Sequence, residues 1–425
     1  MIEINNEVKK IMKQIESSGY EIYLVGGFVR DSIIGRENKD YDLCTNMPFD
    51  ELAKIIPEMT IMKENDHRNT CVLRKNGEDI EISTFRGVNL KEDLLNRDFT
   101  INSIALNSEG EIIDLLNGKL DIEKKQIKLS DPSGNAFRND PLRILRAIRF
   151  ASVLEYEIEE NTLKHMLAKK ELLNEVATER IYIELSKILL SNNPGETISK
   201  YKEIICEVVP ELKPLISFNQ NNPYHIYDVF EHTMKVLDGT KKDITLRYAA
   251  LFHDTGKPQT LTTDENGISH FYGHPKISTD IFTEFAKRMK IDKKSTTNIQ
   301  KLIFFHDVTL GTKTKSMSKF LQLFGDEYID LLFDLKLADV IGQNPDKMSR
   351  LAEINKLREM YINFLNSKPV LGVKDLEING KTLKQMEFDG KIIGIILKDV
   401  LDMVTEEKLS NNREEIESYV ESKYK

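Results

Sequence analysis

The chain has 425 residues, a formal net charge of −9, 40% hydrophobic and 30% charged residues, no Trp and three Cys, which at roughly 150 residues per domain leaves room for about three domains with their own cores. No apolar run approaches the ~18 to 20 residues of a membrane span, the first residues lack the basic-then-apolar order of a signal peptide, and Cys44, Cys71 and Cys206 are too scattered for a disulfide framework or a thiolate metal site; a soluble cytoplasmic protein is expected. The acidic balance argues against a protein that coats nucleic acid nonspecifically, while leaving room for a local basic groove.

Up to about residue 125, strand-length runs at Glu21–Val25, Thr70–Arg74 and Asp79–Phe85 alternate with helical pattern, which predicts a small sheet with helices. The first strand runs into Gly26-Gly27-Phe28-Val29-Arg30-Asp31 and then a helix, so a flexible turn delivers backbone N–H groups to a helix N-terminus, where phosphate can be cradled. Asp40-Tyr41-Asp42 follows; in a strand its two aspartates point to one face and repel unless cations sit between them. Two magnesium ions activating a 3′-hydroxyl and steadying a leaving pyrophosphate need such a pair with a third carboxylate nearby, and Glu81 on its strand is the candidate. Arg97 reads as a phosphate fork and Asp98 as an acceptor for a ribose hydroxyl.

From about Asp131 the apolar spacing becomes helical, as in Leu142, Leu145, Ile148 and Phe150, then Val176, Ile181, Leu185, Ile188 and Leu189, and the remainder is expected to be helical almost throughout. Asn139-Asp140-Pro141 opens the first of these helices, with Asp140 as N-cap and Pro141 as the first helical residue. Arg143, Arg146 and Arg149 then recur every third position as a basic stripe, which capping does not explain. A polar, turn-rich stretch, Asn219 to Pro223, marks a boundary near residue 220, and a second loop around Lys368-Pro369 precedes the last helical segment.

Of the eight histidines, six (His225, His232, His253, His270, His274 and His306) fall beyond residue 220. His232, His253-Asp254, His274, His306 and Asp339 form a mixed imidazole and carboxylate set that suits Mn, Fe, Ni or Mg better than a structural Zn site. A metal there would lower the pKa of bound water and aim hydroxide at a phosphoester.

Leu24 to Asp31 with Asp40-Tyr41-Asp42 resembles the head domain of the tRNA nucleotidyltransferases and their poly(A) polymerase relatives, in the polymerase β superfamily. Arg97-Asp98-Phe99-Thr100-Ile101-Asn102 is similar to the family's second motif, and the resemblance implies that Gly26, Gly27, Arg30, Arg97, Asp98 and Asn102 hold the incoming nucleotide. It likewise implies that Asp140 and Arg143, with Arg146 beside them, form an amino-acid template: a carboxylate that accepts from the exocyclic amine of C or A and a guanidinium that donates to the ring edge. Asn139 replaces the family's frequent Glu, Ala177 to Leu185 resembles a neck motif in which Glu179 and Arg180 brace the template helix, and His67, where the family has His-Gly-Thr, is given no role. The histidine set resembles the HD-type metal phosphohydrolases, which implies phosphatase or 2′,3′-cyclic phosphodiesterase activity as a secondary function.

The resemblance implies a multidomain α+β fold: a head with a small mixed sheet (1–125), an all-α neck (126–220), an HD domain (221–345) and a helical tail contacting tRNA (346–425). It implies a template-independent enzyme that extends tRNA 3′ ends from CTP, and from ATP if the whole CCA is built, with Mg²⁺ as cofactor, a further divalent metal in the HD domain, and neither DNA nor membrane as partner. Only Ile82 to Asn96 separate Glu81 from Arg97, where builders of the whole CCA end carry a longer flexible stretch, so the reading favours CC addition. The alternatives are a poly(A) polymerase, an HD phosphohydrolase whose head only binds RNA, and a noncatalytic RNA-binding scaffold.

Overall fold

The computed structural model describes residues 2–56, 60–63, 69–75, 78–221, 226–343 and 348–425; His67 and His225 lie outside them. The chain divides into two compact units, Met1–Asn192 with Lys200–Val208 and Asn193–Ser199 with Val209–Lys425.

The first unit is built on a seven-stranded mixed sheet of β1 (Ile22–Val25), β2 (Asp40–Thr45), β3 (Thr60–Lys63), β4 (Asn69–Lys75), β5 (Glu78–Thr84), β6 (Ala105–Leu106) and β7 (Ile112–Ile113), ordered β3-β4-β5-β2-β1-β6-β7. β2 and β5 run parallel and every other neighbouring pair is antiparallel. Alternation in β2 follows its sequence: Tyr41 and Leu43 are buried, whereas Asp40 is exposed and Asp42 half-buried. Behind the sheet, Val25, Cys44, Leu90, Leu94 and Ala105 pack into one apolar cluster that fixes how β1 and β2 meet the helix Leu90–Leu95.

Gly26 links β1 to the helix Gly27–Ile34 with φ +79°, and a Cβ there would lie 2.8 Å from Asp42 Oδ2. Both the left-handed backbone and the close approach of a carboxylate demand glycine. Beyond the sheet, the helix Arg143–Leu154 packs against the helix Thr178–Leu189, each burying an aliphatic stripe.

Among the described residues the second unit's regular structure is helical apart from a short hairpin, Thr262–Thr263 paired with Ser269–His270. At this hairpin Asp264 accepts from the backbone N–H groups of Asn266 and Ile268, an Asx-type turn that competes with helix. The helices Val229–Gly239, Ile244–Phe252, His274–Arg288, Lys293–Phe305 and Ile329–Ile341 form one packed set. Leu376, Ile378, Leu383, Ile396, Val400, Ile416 and Val420 make a separate core beneath the last helices. Among the described residues no helix is long and apolar enough to cross a membrane.

Candidate active site and metal centre

A cavity of 490 Å³ in the first unit is lined by seven arginines, at positions 30, 86, 97, 143, 146, 149 and 180, facing Asp42, Glu81, Asp98 and Asp140. Parallel pairing sets Asp42 directly opposite Glu81, and Val25 of β1 opposite Asp42 on the other side, so the strand after which Gly26 and Gly27 turn abuts the carboxylates. Asp40 stands two residues away on the same face, at the exposed start of β2 and outside the cavity lining, opposite Asp79, an acid that sequence reading passed over. Burial pushes the Asp42 carboxyl up, Arg97 and Arg86 pull it down, and Asp40 repels it. A divalent cation at this face would relieve both the burial cost and the repulsion, so the acids fit the magnesium the fold implies.

The arginines are held by a buried network. Arg30 donates to Asp31 through Nε (2.9 Å) and to Asn102 Oδ1 through Nη1 (2.6 Å). Asp98 accepts four bonds: from the Phe99 backbone N (2.8 Å), Asn102 Nδ2 (3.0 Å), and Arg146 Nε (3.0 Å) and Nη2 (2.5 Å). Burial pushes Asp98 up, but Arg146, Asn102 and Arg143 outweigh it and hold the carboxyl well below the usual range. Its lone-pair sites are filled from within the protein, so in this state Asp98 positions Arg146 and Asn102 and is not an open acceptor for a ribose. Arg97 donates through Nε to Asp93 (2.8 Å) beside Cys44, whose thiol burial pushes up to about 12.

The capping expectation for Asp140 is corrected. The helix begins at Arg143 with Leu142 as N-cap, and Asp140 contributes its backbone carbonyl to the Arg143 N–H (3.1 Å). Its carboxylate turns to the cavity and accepts from Arg180 Nη2 (3.2 Å), because a guanidinium is a stronger donor than the backbone amides it forgoes. Arg180, read from sequence as a brace, thus lines the cavity. Arg143 donates to the carbonyls of Asn96 (2.9 Å) and Arg97 (3.3 Å), which ties the helix to the second motif.

Two residues escaped the sequence reading. Glu184 is 4% exposed and lies 2.9 Å from Arg149 Nε and 4.0 Å from Arg146 Nη1. The Phe150 ring carries the guanidiniums of Arg149, Arg30 and Arg146 over it, at 4.2, 5.1 and 5.5 Å. The missed signal for Glu184 was its place among Ile181, Leu185 and Ile188: an acid on a core stripe has to be paired.

In the second unit all six expected ligands converge, His232, His253, Asp254, His274 and His306 buried and Asp339 half-buried. Each histidine places Nδ1 against a backbone carbonyl: His232 on Gly342 (3.0 Å), His253 on Ala250 (2.8 Å), His274 on Phe271 (2.8 Å) and His306 on Ile303 (2.7 Å). A carbonyl only accepts, so Nδ1 carries a proton in each ring, and a ring without a second proton offers its Nε2 lone pair inward. Nε2 atoms then face each other at 3.4 Å (His232 and His253) and 3.2 Å (His274 and His306), a repulsive arrangement without a cation. Asp254 Oδ2 is buried without a hydrogen-bond partner; Lys257 Nζ lies 2.7 Å away but off hydrogen-bond geometry, so the contact is purely coulombic. Against burial, Asp254 and Asp339 are held far below the usual range by the histidines, and His232 is raised to about 9 by the two acids. The cluster attracts positive charge, and its donor set fits a divalent metal of the Mn, Fe, Ni or Mg type.

The chain matches three family models: the poly A polymerase head domain over residues 22–128, the probable RNA and SrmB-binding site of polymerase A over 155–213, and the HD domain over 224–342. The CCA-adding enzyme of Lactococcus lactis subsp. cremoris is 37% identical over 204 residues, 44% of this chain and 50% of that protein, so the alignment spans about half the length of these relatives. The CCA-adding enzyme of Levilactobacillus brevis is 27% identical over 423 residues, 95% of this chain and 94% of that protein. In fold, the chain resembles the Bacillus stearothermophilus CCA-adding enzyme in complex with CTP (TM-score 0.67, 21% identity, 98% of this chain and 96% of that one). It also resembles the Thermotoga maritima CCA-adding enzyme complexed with tRNA (TM-score 0.62, 20% identity, 99% and 96%). With a poly A polymerase head model, an RNA-binding model and an HD model matched in order along it, and CCA-adding enzymes similar to it over nearly half and over nearly all of its length, the chain is similar throughout to the tRNA nucleotidyltransferases.

Proposed function

We propose that the protein is a template-independent tRNA nucleotidyltransferase that adds C residues to the tRNA 3′ end. The 3′-hydroxyl attacks the α-phosphate of CTP, the bond to the bridging oxygen breaks, and pyrophosphate leaves. The observation that carries the reading is the register of Asp42 against Glu81 beneath a wall of arginines that also holds Asp140 and Arg143. Two Mg²⁺ ions held by Asp40, Asp42 and Glu81 would supply activation of the hydroxyl and neutralisation of the leaving group. Gly26 and Gly27 open the wall to phosphate, Arg30 and Arg97 draw the triphosphate, and Asp98 with Asn102 holds Arg146 and Arg30 in place. Asp140 accepts from the amine of the base and Arg143 donates to its edge, so a base without that amine is refused. The functional division into head (1–125), neck (126–220), HD domain (221–345) and tail (346–425) belongs to this proposal, with neck and tail following the tRNA backbone by shape.

Addition of CC alone is favoured by the connector between β5 and the helix Leu90–Leu95. It is short, and it is pinned: Arg86 N donates to Asp93 (3.0 Å), Val88 N to Glu92 (3.0 Å), and Asn96 Nδ2 to the Arg86 carbonyl (2.9 Å). A segment tied at three points between Arg86 and Asn96 is a poor lever for switching from C to A. The HD cluster is proposed to bind a divalent metal and to hydrolyse phosphoesters, 2′,3′-cyclic ends included, as a secondary activity.

The test is incorporation of CTP and of ATP, separately and together with Mg²⁺, into tRNAs ending before CCA and after CC. Two C's and no A are expected. A added to the CC end would discard the CC reading, and A added in runs would favour a poly(A) polymerase. Asp42→Ala should abolish incorporation while leaving metal in the HD cluster; persistent incorporation would sink the polymerase assignment.

A further inference from the structure

The segment that leads from the hairpin into the metal cluster carries two rings that metal binding does not use. His270 donates through Nε2 to Asp264 Oδ2 (3.1 Å), which leaves Nδ1 to accept from the Tyr272 hydroxyl (3.5 Å). The two rings lie parallel, with centroids 5.4 Å apart and 7° between their planes. Tyr272 is nevertheless 77% exposed, so one face rests on His270 and the other is left to solvent. A large aromatic ring held in a fixed plane with one open face is what a further flat ring stacks on. Phe271, between the two, packs against Phe218 at 6.3 Å and anchors the segment. Its carbonyl accepts from His274 Nδ1 (2.8 Å) and from the His274 backbone N (3.1 Å), across a turn made by Gly273 at φ +80°. Two residues of chain span at most about 7 Å, so the open ring is carried beside a ligand of the metal cluster.

We infer that Tyr272, backed by His270, is a base-stacking platform of the HD centre, and that the phosphoester taken there belongs to a ribonucleotide: a nucleoside 2′,3′-cyclic phosphate, free or at an RNA end. This deepens the reading of the HD cluster as a phosphoester hydrolase and rests on it. The imidazoles and carboxylates of the cluster address phosphate and water, whereas the platform addresses the base. In the hydrolysis the water oxygen bonds to phosphorus and one of the two ribose P–O bonds breaks. One water proton passes to the released ribose oxygen and the other is left with the phosphate. Every base has a π face, so the platform accepts all four bases and grips purines harder than pyrimidines.

The chain has no Trp, so Tyr272→Trp in the full chain places a single indole fluorophore on the platform. Adenosine 2′,3′-cyclic phosphate should quench its emission saturably, and glycerol 1,2-cyclic phosphate, which has the same phosphate ring and no base, should not. A short RNA with the cyclic end that quenches at lower concentration than the mononucleotide assigns the site to RNA ends; the reverse order assigns it to free nucleotides. In Mn²⁺-supported hydrolysis, Tyr272→Ala should raise KM for adenosine 2′,3′-cyclic phosphate by about 5- to 150-fold, the worth of one base–aromatic stack, with kcat little changed. KM for glycerol 1,2-cyclic phosphate should stay as in the parent, and Tyr272→Phe, which keeps the ring, should behave as the parent on both substrates. An unchanged KM, an equal rise on both substrates, or no saturable quenching overturns the platform. Should the parent hydrolyse neither substrate, the hydrolase reading falls, and the quenching alone decides whether Tyr272 stacks a base.

Discussion

Glu184→Gln removes one charge from the inside of the neck and tests whether that acid organises the arginine wall. Glu184 is 4% exposed, Arg149 lies 2.9 Å from it with 15% of its side chain exposed, and Arg146 lies 4.0 Å away. Breaking a buried ion pair by removing one partner costs about 3–5 kcal/mol. Three features lower that figure: the Arg149–Glu184 contact lacks hydrogen-bond geometry at Nε, Arg149 keeps the face of Phe150, and Arg146 keeps Asp98. Burial already depresses the Arg149 pKa against the pull of Glu184, so without the acid its charge is less well compensated still. The expected loss is about 2–3 kcal/mol, which for a unit of roughly 200 residues lowers its melting temperature by about 5–10 °C. Differential scanning calorimetry measures it, and steady-state incorporation should show KM for CTP rising more than kcat falls. A melting temperature within about 1 °C of the parent, with KM unchanged, would refute the argument.

Asp140→Asn replaces a pure acceptor by a group that also donates, so preference for CTP over UTP should fall by about 10- to 100-fold in single-nucleotide incorporation; undiminished preference would remove Asp140 from base selection. Asp98 has a depressed folded pKa, so its contribution is complete above the ordinary carboxylate value near ~4 and is lost as pH falls through the lower folded value. Melting temperature of the first unit should therefore drop with pH below ~4, and Asp98→Asn should flatten that drop; parallel curves would contradict it. A Cβ on Gly256 would lie 2.5 Å from the His274 carbonyl and 2.7 Å from the Ser278 N, both backbone atoms that cannot step aside. Gly256→Ala should cost about 1–3 kcal/mol and loosen metal retention through His274, read by calorimetry and by the metal count.

What was legible from sequence was local. A strand ending in Gly-Gly and an Asp-x-Asp pair fix side-chain faces through the period of a strand, and that period placed Glu81 on a face that pairing then set opposite Asp42. Connector length between Glu81 and Arg97 is a count, so a short connector could be read without any structure. Asp140 was misread because capping is the cheapest local explanation for an acid before a helix, and the competing donor, Arg180, lies forty residues on. The partners of Glu184, Arg146 and Arg149, likewise come from another helix, although an acid on its core stripe was a local sign of pairing, and over Phe150 only Arg30 comes from a different element. The six metal ligands could be enumerated from their spacing, but which oxygen of Asp254 faces which ring depends on how five helices and their ends converge.

Asn96 shows how the connector reaches the base-selecting helix. Its side chain donates to the Arg86 carbonyl (2.9 Å) and to the Glu92 carbonyl (3.0 Å), while its own carbonyl accepts from Arg143 Nη2 (2.9 Å). One residue therefore joins the connector, the end of the helix Leu90–Leu95 and the arginine proposed to read the base. Asn96→Ala deletes two hydrogen bonds at an exposed site, each worth about 0.5–1.5 kcal/mol, and frees the connector without touching Asp42 or Glu81. If the pinned connector sets the rotamer of Arg143, discrimination between CTP and ATP at the CC end should fall by about three- to tenfold, while Mg²⁺ dependence stays as in the parent. Equal discrimination in parent and variant would mean that the backbone carbonyls of Asn96 and Arg97 hold Arg143 by themselves, and that base choice resides in the helix and owes nothing to the connector.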